Sequence, residues 1–410
     1  MSENLVKEKQ LPSGSAASVA PPKGPRSRAW VGVVVTLISF VLAFITGAIV
    51  MVVADQDVLS KFAYFFSQPG DALAASWEKI ATAYGALLRG SVGSWQALTE
   101  TSAQAAPLIC AGLGVALAFR AGLFNIGAQG QAIWGALIGA FVGFTFTGLP
   151  LFIHIPFALL MAMAFGALWG GIAGFLKAKT GAHEVIVTIM LNYIALYMLQ
   201  FLLTTSLLQL PGRSDPISPV VQFSATMPRL AGTRLTLGFF IALVAAVAVW
   251  WLLERTTLGF RIRAVGLNPH AAATAGMSVS RTTIIAMAIA GSLGGLAGAQ
   301  AVLTPTLLTG YPTQLSLGIV GTVGFDAITV ALLGRSRPLG VVLAGLLFGA
   351  LKAGGLTMAA QAQTPSDLTN LIQALIVLFV AAPAFVLWLV PVLREKRSKR
   401  VDSSTKAATA

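Results

Sequence analysis

Apolar residues in this chain fall into long unbroken runs, separated by short stretches where charged and turn-forming residues gather. A hydrocarbon layer about 30 Å thick takes about 20 helical residues to cross. Ten runs approach or exceed that length, near residues 29–53, 104–119, 123–147, 152–176, 185–205, 235–253, 282–304, 315–334, 338–357 and 367–391. Those at 104–119 and 315–334 hold several glycines, which makes each a candidate for a broken or re-entrant segment. Such breaks are tolerated only where protein covers the freed backbone. The pattern therefore predicts an all-α integral membrane protein of about ten transmembrane helices. Between the first two runs the period changes. Leu73, Trp77, Ile80, Tyr84 and Leu87 recur at helical spacing on one face, with Asp71 as N-cap and Arg89–Gly90 closing the far end. This amphipathic helix is expected on the outer rim of the bundle or at the lipid interface.

Composition sharpens the class. Only 10% of the 410 residues are charged and 56% are hydrophobic. A soluble domain carries about 25% charged residues to hold its surface in water, so lipid must solvate most of this one. The net charge of +13 does not imply nucleic acid, because the basic residues sit between apolar runs and at the two ends. With the N-terminus inside, twenty Lys and Arg fall on the inner side, six on the outer, and Lys352 alone within a run. That asymmetry places both termini in the cytoplasm. The first run, Ala29 to Val53, is 25 residues and exceeds the roughly 7–15 residues of a secretory signal core. The expected domains are a disordered tail (1–28), a transmembrane unit (29–393) with a cytoplasmic loop at 254–281, and a basic tail (394–410). Cys110 has no second cysteine to pair with, and His154, His183 and His270 lack ligand spacing, so neither a disulfide nor a metal site is expected. No catalytic cluster stands out either.

Polar side chains inside the runs are costly there and mark function or pairing. Asn125, Gln129 and Gln131 lie beside Gly122, Gly127 and Gly130. Their amides suit either a neutral polar solute or hydrogen bonds between helices. Glu184, Thr188 and Asn192 share a helix face, and Glu184 is within reach of Lys177 or Lys179. Asp326 and Lys352 are the deepest charges, about 12 Å and about 21 Å from the inner ends of their helices at 1.5 Å per residue, either paired or facing the solute. Phe124, Trp134 and Phe325 could stack on a flat ring. In the inner loop, Asn268 is a good N-cap, Pro269 suits the first helical position, His270 to Ala275 form a short helix, and Gly276 ends it. Its small side chains fit either close insertion against another protein or an ordinary capped loop. The chain has no G-x-x-x-x-G-K-[ST] phosphate loop.

The stretch LGFRIRAVGLNPHAAATAG resembles the coupling segment of permeases in ABC importers of the sugar, branched-chain amino acid and nucleoside group. AFRAGLFNIGAQGQ, HEVIVTIMLNYIA and GFDAITVALLG agree with the nucleoside-type branch, in register from about Pro107 to Gly355. The resemblance implies a type II importer-like fold in the plasma (inner) membrane of a prokaryote, with no cofactor on this chain. It implies an ATPase subunit carrying ATP and Mg, a second permease chain, and an extracytoplasmic substrate-binding lipoprotein as partners, with a nucleoside-like small molecule as solute. Simple sugars or another small polar solute are the alternative within the family, and an ion-coupled secondary transporter is the rival outside it. Arg261, Arg263, Asn268, Pro269, His270, Ala272 and Gly276 would meet the ATPase. Asn125, Gln129, Gln131, Asn192, Phe325 and Asp326 would lie on the solute path. The family usually carries Glu where this chain has Gln129 and Asn where it has His183. Helix runs two to five and seven to ten are expected to form an inverted repeat.

Overall fold

The computed structural model describes residues 25–230, 232–306 and 311–381. The expected basic tail at 394–410, most of the 1–28 tail and the end of the tenth run fall outside them. Helices α1 (Pro25–Ala54), α2 (Gln56–Phe62) and α3 (Pro69–Val92) come first. The bundle follows with α4 (Trp95–Arg120), α5 (Ala128–Thr145), α6 (Leu151–Thr180) and α7 (Glu184–Leu202). A short strand β1 (Ile217–Val220) precedes α8 (Leu237–Arg255), and α9 (Thr257–Leu267) and α10 (Pro269–Thr274) form the loop before α11 (Val279–Leu303). Strand β2 (Gln314–Ser316), α12 (Val323–Leu333), α13 (Pro338–Ala362) and α14 (Ser366–Ala381) complete it. Because α8 runs the length of the bundle, β1 and β2 mark one end of the molecule and α9–α10 the other.

Among the described residues seven helices are long and apolar enough to span a bilayer: α1, α4, α6, α7, α8, α11 and α13. The other expected runs differ for identifiable reasons. The run at 123–147 becomes helical only at Ala128. The run at 315–334 is not a span. It begins as β2, passes through a turn, and ends as the 11-residue α12, about 16 Å long and half the hydrocarbon thickness. The glycine-bearing run at 104–119, by contrast, lies within a continuous 26-residue helix that starts at Trp95. The all-α expectation holds apart from the β1–β2 pair.

Packing follows the small residues. Lipid tails are as apolar as leucine, so helices in a bilayer associate through close van der Waals fit. Helix α11 lies against α6, α5 and α4. A Cβ at Gly298 would overlap the carbonyl of Ala132 on α5, and one at Gly295 the carbonyl of Ala162 on α6. Exchanging α4–α7 with α11–α14 in order maps neighbour onto neighbour: α6·α11 onto α13·α4, α5·α11 onto α12·α4, α5·α6 onto α12·α13, and α5·α7 onto α12·α14. Two inverted four-helix blocks would pair this way.

A second cluster, with Ala43, Ala83, Leu87, Met358 and Ile372, joins α1 and α3 to α13 and α14. Here the N-cap expected for the amphipathic helix needs correcting. Leu87 is buried, but Leu73 and Trp77 are 59% and 72% exposed, and the N-cap is Gln68, not Asp71. The contact face consists of Ala72, Ala75, Ala83, Ala86 and Ser91, because α3 approaches α13 so closely that a Cβ at Gly354 would overlap the carbonyl of Leu87. Leu73 and Trp77 are left outward, while Leu87 joins the contact face and Tyr84 packs on Phe44 of α1 and donates to its carbonyl.

Candidate translocation and coupling sites

Helix α5 starts late because residues 123–126 have no helical hydrogen bonds and Asn125 caps the turn that follows. The Asn125 Oδ1 accepts the Gly127 N–H at 2.9 Å. Its amide and that of Gln131 bond each other reciprocally at 3.3 Å. Across on α7, Asn192 accepts the Gly130 N–H at 2.8 Å and donates to the Ile126 carbonyl at 2.9 Å. The first N–H groups of a helix have no partner within it, and these side chains provide one for the start of α5. Asn125, Gln131 and Asn192 are all buried, at 1%, 1% and 7% exposure. The three are thus bonded to protein, Asn125 and Gln131 bracing the start of α5 and Asn192 joining it to α7.

Gln129 has a different role. Its Nε2 donates to the Gly321 carbonyl at 2.7 Å, and its Oε1 accepts the Gly324 N–H at 2.8 Å. It thereby ties the first turn of α5 to the first turn of α12. The two starts touch: a Cβ at Gly324 would overlap the backbone of Gln129, so glycine is required there. Two helix N-termini, each with a partial positive charge, converge at this joint. Beside it Asp326, in the first turn of α12, accepts from Lys352 Nζ at 2.7 Å and from the Thr322 hydroxyl at 3.0 Å. The two deepest charges are thus paired, with about a fifth of each side chain still exposed. Phe325 is 48% exposed on the same turn, and Phe124 is 41% exposed and stacks on Phe119 at 5.1 Å. Trp134 packs with Phe165 and Trp169 between α5 and α6. Glu184 pairs with Lys177 at 2.9 Å.

Sequence reasoning missed one acidic group. Glu100, 5% exposed near the start of α4, pairs with Arg234 at 2.8 Å. The neighbouring Arg229 donates to the carbonyls of Pro305 and Thr306. A single Glu in a polar stretch gave no signal, since its partner lies 134 residues away.

At the opposite end, Asn268 caps α10 by accepting from the N–H groups of His270 and Ala271 at 3.0 and 3.1 Å. Pro269 occupies the first position. Gly276 follows the helix with φ +80°, a left-handed value that favours glycine. Leu267 is 88% exposed, and His270, Ala271, Ala273 and Thr274 are exposed, while Ala272 is turned inward at 4%. Arg261 is exposed, and Arg263 pairs with Glu254 at 2.6 Å. The exposed face of this segment is therefore Leu267–Ala271 with Ala273 to Gly276, without Ala272. No group of metal-ligating side chains occurs among the described residues.

A multi-pass helical bundle with a half-length helix meeting another at a polar joint, and a capped helix held out at one end, describes a membrane permease. The chain belongs to the family of the branched-chain amino acid transport system / permease component, whose model matches residues 97–381. It is 39% identical to the guanosine ABC transporter permease protein NupP of Bacillus subtilis, over 88% of this chain and 97% of the relative. It is 34% identical to the nucleoside ABC transporter permease protein NupB of Lactococcus lactis, over 88% and 93%. A third relative, the glucose ABC transporter permease protein TsgB13 of Haloferax volcanii, is 35% identical over 74% of this chain and 80% of its own. No solved structure gives a significant match. This chain is an ABC importer permease and not itself an ATPase.

Proposed function

We propose that this permease imports nucleosides. The observation that carries the reading is its likeness, over nearly the full length of both chains, to a guanosine permease and a nucleoside permease. The site chemistry agrees. Around the α5–α12 joint the exposed side chains are aromatic or uncharged, apart from the paired Asp326, which suits a neutral solute with a flat ring. A second copy or homologue faces this surface and completes the channel. The ATPase seats on Leu267–Ala271 and Ala273–Gly276, with Arg261 and Arg263 at its rim. A substrate-binding protein docks at the β1–β2 end, which faces outward, so both termini are cytoplasmic. Uptake of labelled guanosine, challenged with excess unlabelled nucleosides and sugars, tests the solute. Competition by nucleosides and not by glucose is expected. Competition by glucose alone would instead support the sugar reading that the Haloferax relative favours.

A further inference from the structure

Two arms of the fold meet at the α5–α12 joint. One comes from the sheet end. Strand β1 pairs antiparallel with β2, Ile217 opposite Ser316 and Val220 opposite Gln314. The Ser218 hydroxyl also accepts the Leu315 N–H at 2.9 Å, and the Val221 N–H donates to the Thr313 carbonyl at 2.9 Å. From Ser316 a short series of turns leads to α12, closed by Ile319 N–H to Ser316, Gly321 N–H to Gly318, and Val323 N–H to Val320. Three turn hydrogen bonds thus link β2 to the start of α12.

The other arm comes from α10. Its N-cap residue Asn268 is also the C-cap of α9, and its N–H donates to the Ala264 carbonyl at 3.1 Å. Gly266 of α9 lies so close to the end of α4 that a Cβ there would overlap the Arg120 carbonyl and sit 2.8 Å from Gly122 N. Gly122, at φ +72°, turns the chain into residues 123–127 and so into α5. Arg120 Nε donates to the Ser336 carbonyl at 2.9 Å, just beyond the far end of α12. The inner arm thus grips α12 at its exit by Arg120 and at its entrance by Gln129. Among the described residues, the two Gln129 bonds are the side-chain hydrogen bonds that join the start of α5 to the turn leading into α12.

We propose that Gln129 is a positioning residue that couples the two arms, so that movement of α9–α10 reaches residues 317–322 through its amide. The inference rests on the importer reading above. The bonding of residue 129 in this chain is specific: one group donates to a carbonyl and accepts from an N–H at once, which an amide does and a carboxylate does only when protonated, so the Glu usual in the family would need a proton or a different partner here.

The test uses the assembled importer in membrane vesicles, with Leu317→Cys as a reporter on the outer arm. Leu317 is 38% exposed, and the native Cys110 is buried. Reaction with a membrane-impermeant maleimide is timed with and without trapped ATP. With Gln129 intact, ATP should change the labelling rate several-fold. In Gln129→Met, which keeps the length and loses both bonds, that change should vanish while the complex is still recovered in normal amount. Gln129→Glu should acquire a pH dependence absent from the parent: coupled at acidic pH with the carboxyl protonated, uncoupled as pH rises and it ionises. If Gln129→Met does not assemble, the Gln129→Glu profile decides alone. Parental ATP responses in Gln129→Met, or a pH-flat parental response in Gln129→Glu, overturn the proposal. Absence of ATP-dependent uptake in the unmodified importer would instead remove the importer reading itself.

Discussion

Replacing Asn192 by leucine takes the partners from two backbone groups at once, the Gly130 N–H and the Ile126 carbonyl. A buried polar group left without a partner costs about 1–3 kcal/mol. Asn192→Leu should therefore lower stability by about 2–6 kcal/mol, read as a clear fall in the melting temperature of the detergent-solubilised protein. An unchanged melting temperature would mean that Asn192 faces the path after all. The Asp326–Lys352 pair calls for a different comparison. Removing one member strands the other within the membrane, whereas removing both does not. Asp326→Asn alone should express poorly, and Asp326→Asn with Lys352→Met should recover much of the loss. Equal yields for the single and double variants would contradict the pairing. The sequence marked all these groups as costly and polar, but the partners of Asn192 and Gln129 lie more than 60 residues away. Asn125 and Gln131 instead bond each other and Gly127 locally, a pairing that their spacing alone did not single out.

Among the elements, α10 was legible almost to the residue, because caps and terminators are local: Asn268, Pro269 and Gly276 act on their own neighbours. Bulky charged replacements at the exposed Ala271 and Ala273 should leave the permease in the membrane and abolish uptake, measured side by side by immunoblot and transport. Normal uptake in such a variant would show that α10 is not the coupling helix. Helix α12 was harder to read. Its glycines warned of a break, yet the strand in its place is set by pairing with β1, nearly a hundred residues earlier. The start of α3 was misread because Pro69 at the first helical position sets the N-cap at Gln68, three residues ahead of Asp71. Asp55 shows how α2 is held. It caps α2 through the Asp57 and Val58 N–H groups and pairs with Lys79 of α3 at 2.6 Å. The Lys79 hydrogen bond, with that of the Val58 N–H next, holds its carboxyl below the ordinary 3.8. The folded pKa is depressed, so this stabilisation is complete above 3.8 and disappears as pH falls through the lower folded value. Amide exchange in α2 should therefore be flat at neutral and mildly acidic pH, once corrected for intrinsic rates. It should accelerate only below that point, and acceleration near pH 6 would contradict the assignment.

At the scale of the molecule, membrane residence, the order of the helices and the family were legible from hydropathy and four motifs. The two four-helix blocks were anticipated as an inverted repeat from the order of the runs, but their neighbours were not legible, because these lie in which helices touch. That arrangement places the α5–α12 joint between an end that carries a sheet and an end that carries α10, as alternating access requires of a central site. The importer account differs from ion-coupled transport in its source of energy. Uptake of labelled guanosine should therefore be followed in cells under two treatments: depletion of ATP with the ion gradients maintained, and collapse of the gradients with ATP maintained. The account predicts that uptake stops in the first and continues in the second. Uptake that survives ATP depletion and ends with the gradients would contradict it.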